Sequence, residues 1–573
     1  MPAPSLNLSF SRPAVSPAEA APIARATDLS GPAAAVVVAR GYDTPARARE
    51  LLEPTNALSH DPFRMKGMKA IAERVRTAVA NKEPILIFGD YDADGIPGTA
   101  LLANFLRASR AVVDTYIPPR ESGYGLSMEQ AKIILERFRP ALVITVDCGS
   151  SDHEAIRWLK SKGVDVAVTD HHLTLKGVPP TPYFINPSRS DGETYPFRYL
   201  CGCGVAYKLV QALSTRPHEP VLYDLVALST IGDLVSLTGE NRYYVTAALK
   251  QLHAKASGNV GLRAIVETVG GSVSIATIDA VDVGWKIAPR INAVGRMGAD
   301  PNMVVELLTT SSHSRAMEIA KETHRLNSAR QTLTERLFEE AIERIGPSPR
   351  DPLVVAYLPD AGVGVAGLVA AKIVELYGRP TLVVNGEGRG SGRAPDGVPL
   401  MPIMEQLRAM GLFGVERRLA SGKSVTADFG GHAQACGFHH VDVDDLLRAA
   451  SRVRGGPGPG GTFPVPVDAE IDLSVIDERL VRDIAAVGPY GIGHAEPAFL
   501  VRDLRVLEQV VSATGRQLRL VIADAAGAEM PGIWFNAGEI AGRLPARVDV
   551  VASVSYFAGR VQLRLRAARA AKR

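Results

Sequence analysis

Four short clusters of carboxylate and imidazole side chains carry the chemistry of this chain. They read Gly89-Asp90-Tyr91-Asp92-Ala93-Asp94-Gly95, Val146-Asp147-Cys148-Gly149, Thr169-Asp170-His171-His172 and Gly232-Asp233. The first three each follow an apolar run with the length and Val/Ile content of a buried β-strand, at residues 85–88, 141–146 and 164–168. The run before Asp233, residues 222–231, reads instead as helix. Carboxylate oxygens are hard ligands, and imidazole suits first-row metals. Several of them converging at strand ends make a donor set for a pair of Mg²⁺ or Mn²⁺ ions. The chemistry this predicts is metal-assisted phosphoester hydrolysis.

Each cluster taken singly has a blander explanation. An acidic turn after a strand is usually a solvated loop, and an isolated His-His pair is more often structural. Asp92-x-Asp94-Gly95 also imitates the start of a calcium loop, but no acidic residue stands at the twelfth position and a helical run, 99–107, begins too soon. Four clusters in order, three of them at strand ends, favour the metal site over coincidence.

The elements that must position these groups alternate. Strand 85–88 precedes helix 99–107, strand 112–117 precedes helix 128–137, strand 141–146 precedes helix 153–162, and strand 164–168 comes next. This pattern predicts a doubly wound parallel α/β domain with its site at the carboxyl ends of the strands. Residues 1–80 read as a helical lead-in, with Thr44-Pro45 opening a helix over 46–52. The main domain then covers 81–314, and a glycine-free run rich in Glu and Arg, 315–345, reads as one connecting helix. A second, smaller α/β domain spans 346–454, with strand 353–357, helix 365–377 and strand 381–384. The run Gly455-Gly-Pro-Gly-Pro-Gly-Gly461 reads as a linker that makes the C-terminal region a detachable module. Strands at 498–505, 517–522 and 548–556 predict a small β-barrel over 462–573.

A chain of 573 residues is too long for one core. Its 46% hydrophobic and 22% charged content is ordinary for a globular protein, and a net charge of +3 is too mild to mark a nucleic-acid binder, so any basic surface must be local. Four cysteines, Cys148, Cys201, Cys203 and Cys436, are too few for a disulfide framework and fit a reducing cytoplasm. Cys201-Gly202-Cys203 is too short for a soft-metal site and reads as small-residue packing in a tight turn. No apolar run approaches a membrane span, and residues 1–13 lack the order of a signal peptide.

The four clusters, with Ser229-Thr-Ile-Gly-Asp-Leu-Val235 around the last, resemble the motifs of the DHH phosphoesterase superfamily. Within it the chain is most similar to the RecJ family of single-strand-specific 5′→3′ DNA exonucleases. Further segments carry the resemblance: Asp61-Pro62-Phe63, Gly123-Tyr-Gly-Leu126, Thr238-Gly-Glu-Asn-Arg242, Ile287-Ala-Pro-Arg-Ile-Asn-Ala-Val-Gly-Arg-Met297, Gly430-Gly-His-Ala-Gln-Ala-Cys-Gly437 and Gly488-Pro-Tyr-Gly-Ile-Gly-His-Ala-Glu-Pro497. The chain departs from the family at Pro97, Cys148, Gly232 and His494, and has Pro359-Asp-Ala-Gly-Val-Gly364 in place of a Trp-His pair. None of these replaces a metal ligand implied by the resemblance.

That resemblance implies a metal set of Asp92, Asp94, Asp147, His171 and Asp233, with Asp90 as a further member. Two ions about 4 Å apart would hold hydroxide and phosphate between them, with Asp147 or Asp92 as bridge. It implies Asp92, Asp94, Asp147 and His172 as the catalytic groups, His172 through phosphate contact or proton delivery, and Asp170 orienting a histidine. Arg290 and Arg296 flank a glycine-containing turn and could fork onto phosphates, Arg296 equally onto a salt-bridge partner. Gly388-Arg-Gly-Ser-Gly-Arg393 reads as a flexible, donor-rich turn that cradles phosphate. With Ser391, Arg393 and, by resemblance, His432, it makes a pocket for a 5′ end. In Val561-Gln-Leu-Arg-Leu-Arg566 the alternation puts Arg564 and Arg566 on one strand face, and the resemblance makes the barrel an oligonucleotide-binding (OB) fold.

Three functions stand as expectations. The first is a single-strand exonuclease of repair and recombination, monomeric, with a single-strand-binding protein and a helicase as partners that the resemblance alone implies. The second is a DHH phosphodiesterase of short oligonucleotides, which the region beyond 462 disfavours. The third is a non-catalytic DNA-binding scaffold, which the intact carboxylate set disfavours.

Overall fold

The computed structural model describes residues 9–11, 15–174, 176–214, 223–254, 258–271, 273–347, 349–418, 424–432, 434–454 and 465–571, except for the side chain of His432. They divide into two compact units. One combines Leu52–Ala329 with Gly488–Glu496; the other combines Met1–Leu51, Arg330–Val487 and Pro497–Arg573. The Gly/Pro run 455–461 lies outside the described residues.

The first unit is built on five strands, β1 (Pro84–Gly89), β2 (Val112–Tyr116), β3 (Leu142–Val146), β4 (Asp165–Thr169) and β5 (Phe184–Ile185). They run all parallel in the order β2-β1-β3-β4-β5. The order turns at β1, so the crevice between the carboxyl ends of β1 and β3 is the topological switch point at which doubly wound sheets bind ligands. The sheet is covered on both faces, which explains its unbroken apolar strands. Ile85 and Ile87 of β1 and Ile144 of β3 join the core that holds Leu101 and Leu102 of helix Gly95–Ala108. Leu86, Phe88 and Val143 point the other way, towards Ile134 of helix Met128–Arg137 and Ile156 of helix His153–Ser161.

Beyond the sheet the unit is helical. Helix Gly202–Leu213 packs on helix Gly95–Ala108 and is pinned by a fully buried ion pair, Lys208 Nζ to Glu240 Oε2, 2.5 Å. The Tyr195 and Tyr244 hydroxyls donate to the same carboxylate at 2.5 and 2.9 Å, and Lys208 also donates to the His60 carbonyl at 2.9 Å. Every polar atom of the pair is thereby used, the condition under which a buried pair is tolerated.

The second unit contains a mixed sheet of β6 (Val354–Tyr357), β7 (Thr381–Val384), β8 (Gly390–Arg393), β9 (Val415–Arg418), β10 (Ser424–His432) and β11 (Ala435–His439), ordered β6-β7-β8-β11-β10-β9. Here the sequence reading of 388–393 as a flexible turn is corrected. Residues 390–393 are a strand paired antiparallel with both β7 and β11, so the ladder uses their backbone N–H groups. Glycine is needed because one face of β8 is closely covered: a Cβ on Gly392 would lie 2.7 Å from Cys436 Sγ. Helix His313–Ile345 is continuous, with its last part, from Arg330, in this unit.

The same unit ends in a barrel of β13 (Phe499–Val511), β14 (Gln517–Ala523), β15 (Glu529–Phe535), β16 (Arg547–Phe557) and β17 (Arg560–Ala570), with β12 (Ala469–Glu470) beside β13. The order β13-β14-β15-β17-β16 closes through β13–β16 pairing. The barrel is not detachable. Phe10 bridges Val465 and lies under Arg569, 4.2 Å from guanidinium to ring, and Arg40 pairs with Asp468 at 3.7 Å. Arg516, on the β13–β14 loop, pairs with Glu335 of the long helix at 3.0 Å. A composition rule finds a linker, but it cannot find the contacts that the flanking segments go on to make. Among the described residues, no helix is long and apolar enough to cross a membrane.

Truncating Glu240 tests the pinned helix. Glu240→Ala should cost about 3–5 kcal/mol, because it strands the Lys208 charge in the core. Replacing both partners, Lys208→Met with Glu240→Leu, should recover much of the loss. Urea midpoints at constant m-value measure both; a Glu240→Ala midpoint equal to the wild type would show that the pair holds nothing.

Candidate metal centre

The acidic loop begins where β1 stops. Asp92 Oδ1 accepts from the N–H groups of Asp94 and Gly95 at 2.8 and 3.1 Å, closing the turn into helix Gly95–Ala108. The Ala93 N–H donates to Asn292 Oδ1 at 2.8 Å, which ties the loop to helix Ala288–Arg296. Asp94 is buried and accepts from the N–H groups of Gly202 and Cys203 at 2.5 and 2.8 Å. The Cys-Gly-Cys run is therefore no tight turn but the start of helix Gly202–Leu213, with Cys201 as its N-cap. Its free N–H groups and helix dipole suit a carboxylate. Gly202 is required there, since a Cβ would fall 2.5 Å from Cβ of Asp147.

Asp147 follows β3 with φ +63°, a left-handed conformation that Asp tolerates better than most residues. Its Oδ1 is buried without a hydrogen bond and lies 3.1 Å from His171 Nε2. The same nitrogen is 3.7 Å from Asp94 Oδ2 and 3.6 Å from Asp233 Oδ2. Asp233 sits just past helix Tyr223–Gly232. Asp170, at the end of β4, accepts from the N–H groups of Ser150 and His171 at 3.0 and 2.8 Å and from His172 Nδ1 at 2.8 Å. The histidine it orients is thus His172.

Ligand atoms fall into three overlapping groups, each within 4.8 Å: Asp90, Asp92 and Asp147; Asp94, His171 and Asp233; Asp147, His171 and His172. These residues are scattered along the chain from Asp90 to Asp233, and the fold gathers all of them. Burial and mutual repulsion push Asp90 and Asp147 well above the usual carboxylate range, Asp94 up to about 6 and Asp233 up to about 9. Asp170 goes the other way: although burial opposes it, His172 holds it well below that range. His172 is pushed up to about 9, the Asp170 contact outweighing its own burial. Carboxylates outnumber the positive groups beside them, and the oxygen-rich donors fit divalent cations. Burial holds Cys148, Cys201 and Cys203 as neutral thiols, and none joins a ligand group.

The remaining candidates are placed less centrally. Arg290 and Arg296 do not flank a turn; they lie on helix Ala288–Arg296, where Gly295 is simply helical. Arg290 is mostly buried, donating to the Lys286 carbonyl and lying 3.0 Å from His324 Nδ1. Ser391 and Arg393 sit in the second unit on one face of β8, with Arg393 Nη1 donating to Ser391 Oγ at 3.1 Å, against Gly367. His432 ends β10, but its side chain is outside the described residues. Arg564 and Arg566 lie on β17; Arg564 donates to Ser553 Oγ at 3.3 Å and Arg566 to the Pro497 carbonyl at 3.4 Å. Sequence reasoning missed Tyr124 as a site residue. Its hydroxyl donates to the Asp147 carbonyl at 2.8 Å and lies 2.9 Å from His172 Nδ1. The signal was an aromatic residue between two glycines, both with positive φ, Gly123 at +89° and Gly125 at +85°.

Residues 84–232 match the model of the DHH family, N-terminal domain, and residues 467–568 that of the RecJ OB domain. The chain is 35% identical over 543 residues to the single-stranded-DNA-specific exonuclease RecJ of Bacillus subtilis, covering 91% of this chain and 65% of that one. It thus spans about two thirds of that relative's length. To the RecJ of Dickeya dadantii it is 31% identical, covering 82% of this chain and 84% of that one. Its fold superposes on the crystal structure of RecJ in complex with Mn²⁺ from Thermus thermophilus with a TM-score of 0.79 at 30% identity, over 98% of this chain and 78% of that one.

The raised carboxylates make stability pH-dependent. Between the ordinary Asp value of 3.8 and the raised values of about 6 and about 9, the folded state binds more protons than the unfolded. His172, raised from 6.5 to about 9, adds the same sign. Metal-stripped protein should therefore lose thermal stability as pH rises from about 5 to about 9. Saturating Mn²⁺ should raise the midpoint, flatten the slope and release protons on binding. A slope that Mn²⁺ leaves unchanged, in calorimetry across that range, would remove the case for a cation at this cluster.

Proposed function

The chain belongs to the RecJ family of DHH phosphoesterases, and on that premise we propose that it is a metal-dependent 5′→3′ exonuclease. Its substrate is single-stranded DNA, degraded to 5′-mononucleotides in repair and recombination. The observation that carries this reading is the gathering of six ligands at the sheet's switch point, in a chain that also holds an OB barrel. Asp90, Asp92 and Asp147 would hold one divalent ion, and Asp94, His171 and Asp233 another, with Asp147 reaching both groups of side chains. Bound there, Mn²⁺ or Mg²⁺ supplies a hydroxide at neutral pH and offsets charge on the phosphoryl oxygens.

The chain's own groups do the rest. His172, bonded through Nδ1 to Asp170, carries a proton for the phosphate or the leaving 3′-oxygen. The Tyr124 hydroxyl fixes its ring and, through the Asp147 carbonyl, the strand end. Arg290 and Arg296 bind phosphates, while Ser391, Arg393 and His432 receive the 5′ end. Arg564 and Arg566 contribute to the barrel's hold on the backbone. The domain division at 81–314, 315–345, 346–454 and 462–573 belongs to this reading. So do a monomeric state in the cytoplasm and partnership with a single-strand-binding protein and a helicase. A phosphodiesterase of short oligonucleotides has no use for the barrel, and a scaffold has no use for a complete ligand set.

Asp147→Asn tests the centre, since Asn also tolerates the left-handed backbone. It should cost more than the roughly 10–100-fold that losing a mere outer partner of a metal ligand costs. Binding of single strands should survive. Near-normal release of nucleotides from a 5′-labelled strand by the pure, folded variant would sink the assignment. For the 5′ end, Arg393→Ala should lose roughly tenfold to a hundredfold in affinity for short 5′-phosphorylated strands. Strands with a 5′-hydroxyl should change little. Equal loss on both end types would move the pocket elsewhere.

A further inference from the structure

The largest exposed apolar side chain near the metal centre belongs to none of the residues assigned so far. Trp285 is 79% exposed, on a π-helical turn, Val283–Ile287, that leads into helix Ala288–Arg296. A tryptophan so exposed is costly unless something covers it, and π-turns concentrate at functional sites. Val281, also exposed, precedes it by four residues and extends the apolar strip.

The turn is built into the centre. Gly284, beside Trp285, packs against Ile231 of the helix that ends at Asp233; a Cβ on Gly284 would sit 3.3 Å from Ile231 Cγ2. Four residues on, Ala288 lies against Gly232, whose own Cβ would come within 3.0 Å of Ala93 in the acidic loop. The Arg290 guanidinium folds back onto the same turn, donating to the Lys286 carbonyl. Leu234, directly after Asp233, is 67% exposed and held at φ +58°, a conformation a leucine keeps only where its surroundings impose it. Trp285 thus stands on the turn that accepts the Arg290 guanidinium and packs against the helix ending at Gly232, just before Asp233. Lys286, next in the chain, is paired with Asp282 at 2.7 Å, which leaves the Arg290 guanidinium as the cation held against this turn. A flat, exposed indole on the same turn suits an anionic polymer with flat faces better than an apolar peptide.

We propose that Trp285 is the base-stacking platform of this site: it packs on a base of a single strand whose phosphate is held by Arg290, and so positions the strand for the metal centre. This rests on the proposed single-strand activity and assigns the residue that reads the bases rather than the backbone. Stacking tolerates every base and requires a base free of its complement, so Trp285 is a positioning residue that favours single strands over duplex.

Fluorescence tests it, because the three tryptophans differ. Trp534 is 2% exposed and Trp158 is partly buried, so Trp285 is the most open to quencher, and Trp285→Phe supplies the background of the other two. The full-length chain is mixed in Mn²⁺ with oligo(dT) carrying non-hydrolysable phosphorothioate links, and with a matched strand of abasic residues. Oligo(dT) should shield the tryptophan from acrylamide and shift its emission, and the abasic strand should not. Trp285→Phe should abolish the signal while keeping most of the affinity. Trp285→Ala should lose about five- to a hundredfold in affinity for oligo(dT), and little for the abasic strand. On cleavable oligo(dT) its KM should rise with kcat nearly unchanged. Tight binding of oligo(dT) that leaves Trp285 open to quencher would overturn the proposal and leave the exonuclease reading standing. So would an equal loss by Trp285→Ala on both strands; either result would assign the strip to a protein partner. A chain that binds neither strand would overturn both readings.

Discussion

Buried negative charge with too little positive charge beside it is the constraint on which the first unit depends. Asp90, Asp94 and Asp147 are nearly inaccessible, and Asp92 and Asp233 stand close by. In a medium of low polarisability such a group of like charges cannot all ionise. The fold answers with donors, and their number ranks the carboxylates. Asp170, met by Ser150, His171 and His172, stays ionised. Asp94, met by two N–H groups of a helix terminus, rises only to about 6. Asp233, off the end of its helix and beside Asp94 and Asp92, rises to about 9. What the donors leave over is the electrostatic demand that a cation would meet.

That demand explains architecture that otherwise looks arbitrary. Helix Gly202–Leu213 must bring its N-terminus against Asp94, so its start must be small enough to pass Asp147; hence Gly202. The same helix must not slide, and the Lys208–Glu240 pair fixes it at its middle. The pair is costly in desolvation, and apolar residues would stabilise as well. Its value is in specifying one register for a helix whose first two N–H groups have work to do.

The sheet was legible because its strands are apolar on both faces and punctuated by Asp, a signal local in sequence. The candidate ligands were legible for the same reason: each follows a strand or helix end. What stayed hidden depends on distant partners. Gly390 and Gly392 look like a flexible turn, and only the close approach of Cys436 and its neighbours makes them a strand. Gly295 looks like a turn between two arginines, yet it lies within a helix packed by Ile291 and Val294. The Gly/Pro run suggests a detachable barrel, whereas Phe10, Arg40 and Glu335 tie that barrel to segments far away in the chain. Tyr124 was quoted as a motif and passed over as a site, because a phenol is not a metal ligand. Its role is to reach a carbonyl and a histidine contributed by two different strands.

Several breaks with local rules adjoin the acidic cluster. Asp147 and Leu234 hold left-handed backbone, residues 283–287 form a π-turn, and Trp285 stands in solvent. Each costs stability in isolation, of order 1–3 kcal/mol for a strained backbone residue. The surrounding core of Ile231, Ala288, Ile291 and Val294 is rigid enough to impose them. Left-handed non-glycine backbone also occurs elsewhere in both units, at Lys82, Arg110, His440 and Asp503 among others, so what sets Asp147 and Leu234 apart is their place beside the carboxylates. Divalent cations would complete the acidic cluster, and a strand of nucleic acid would cover the exposed indole.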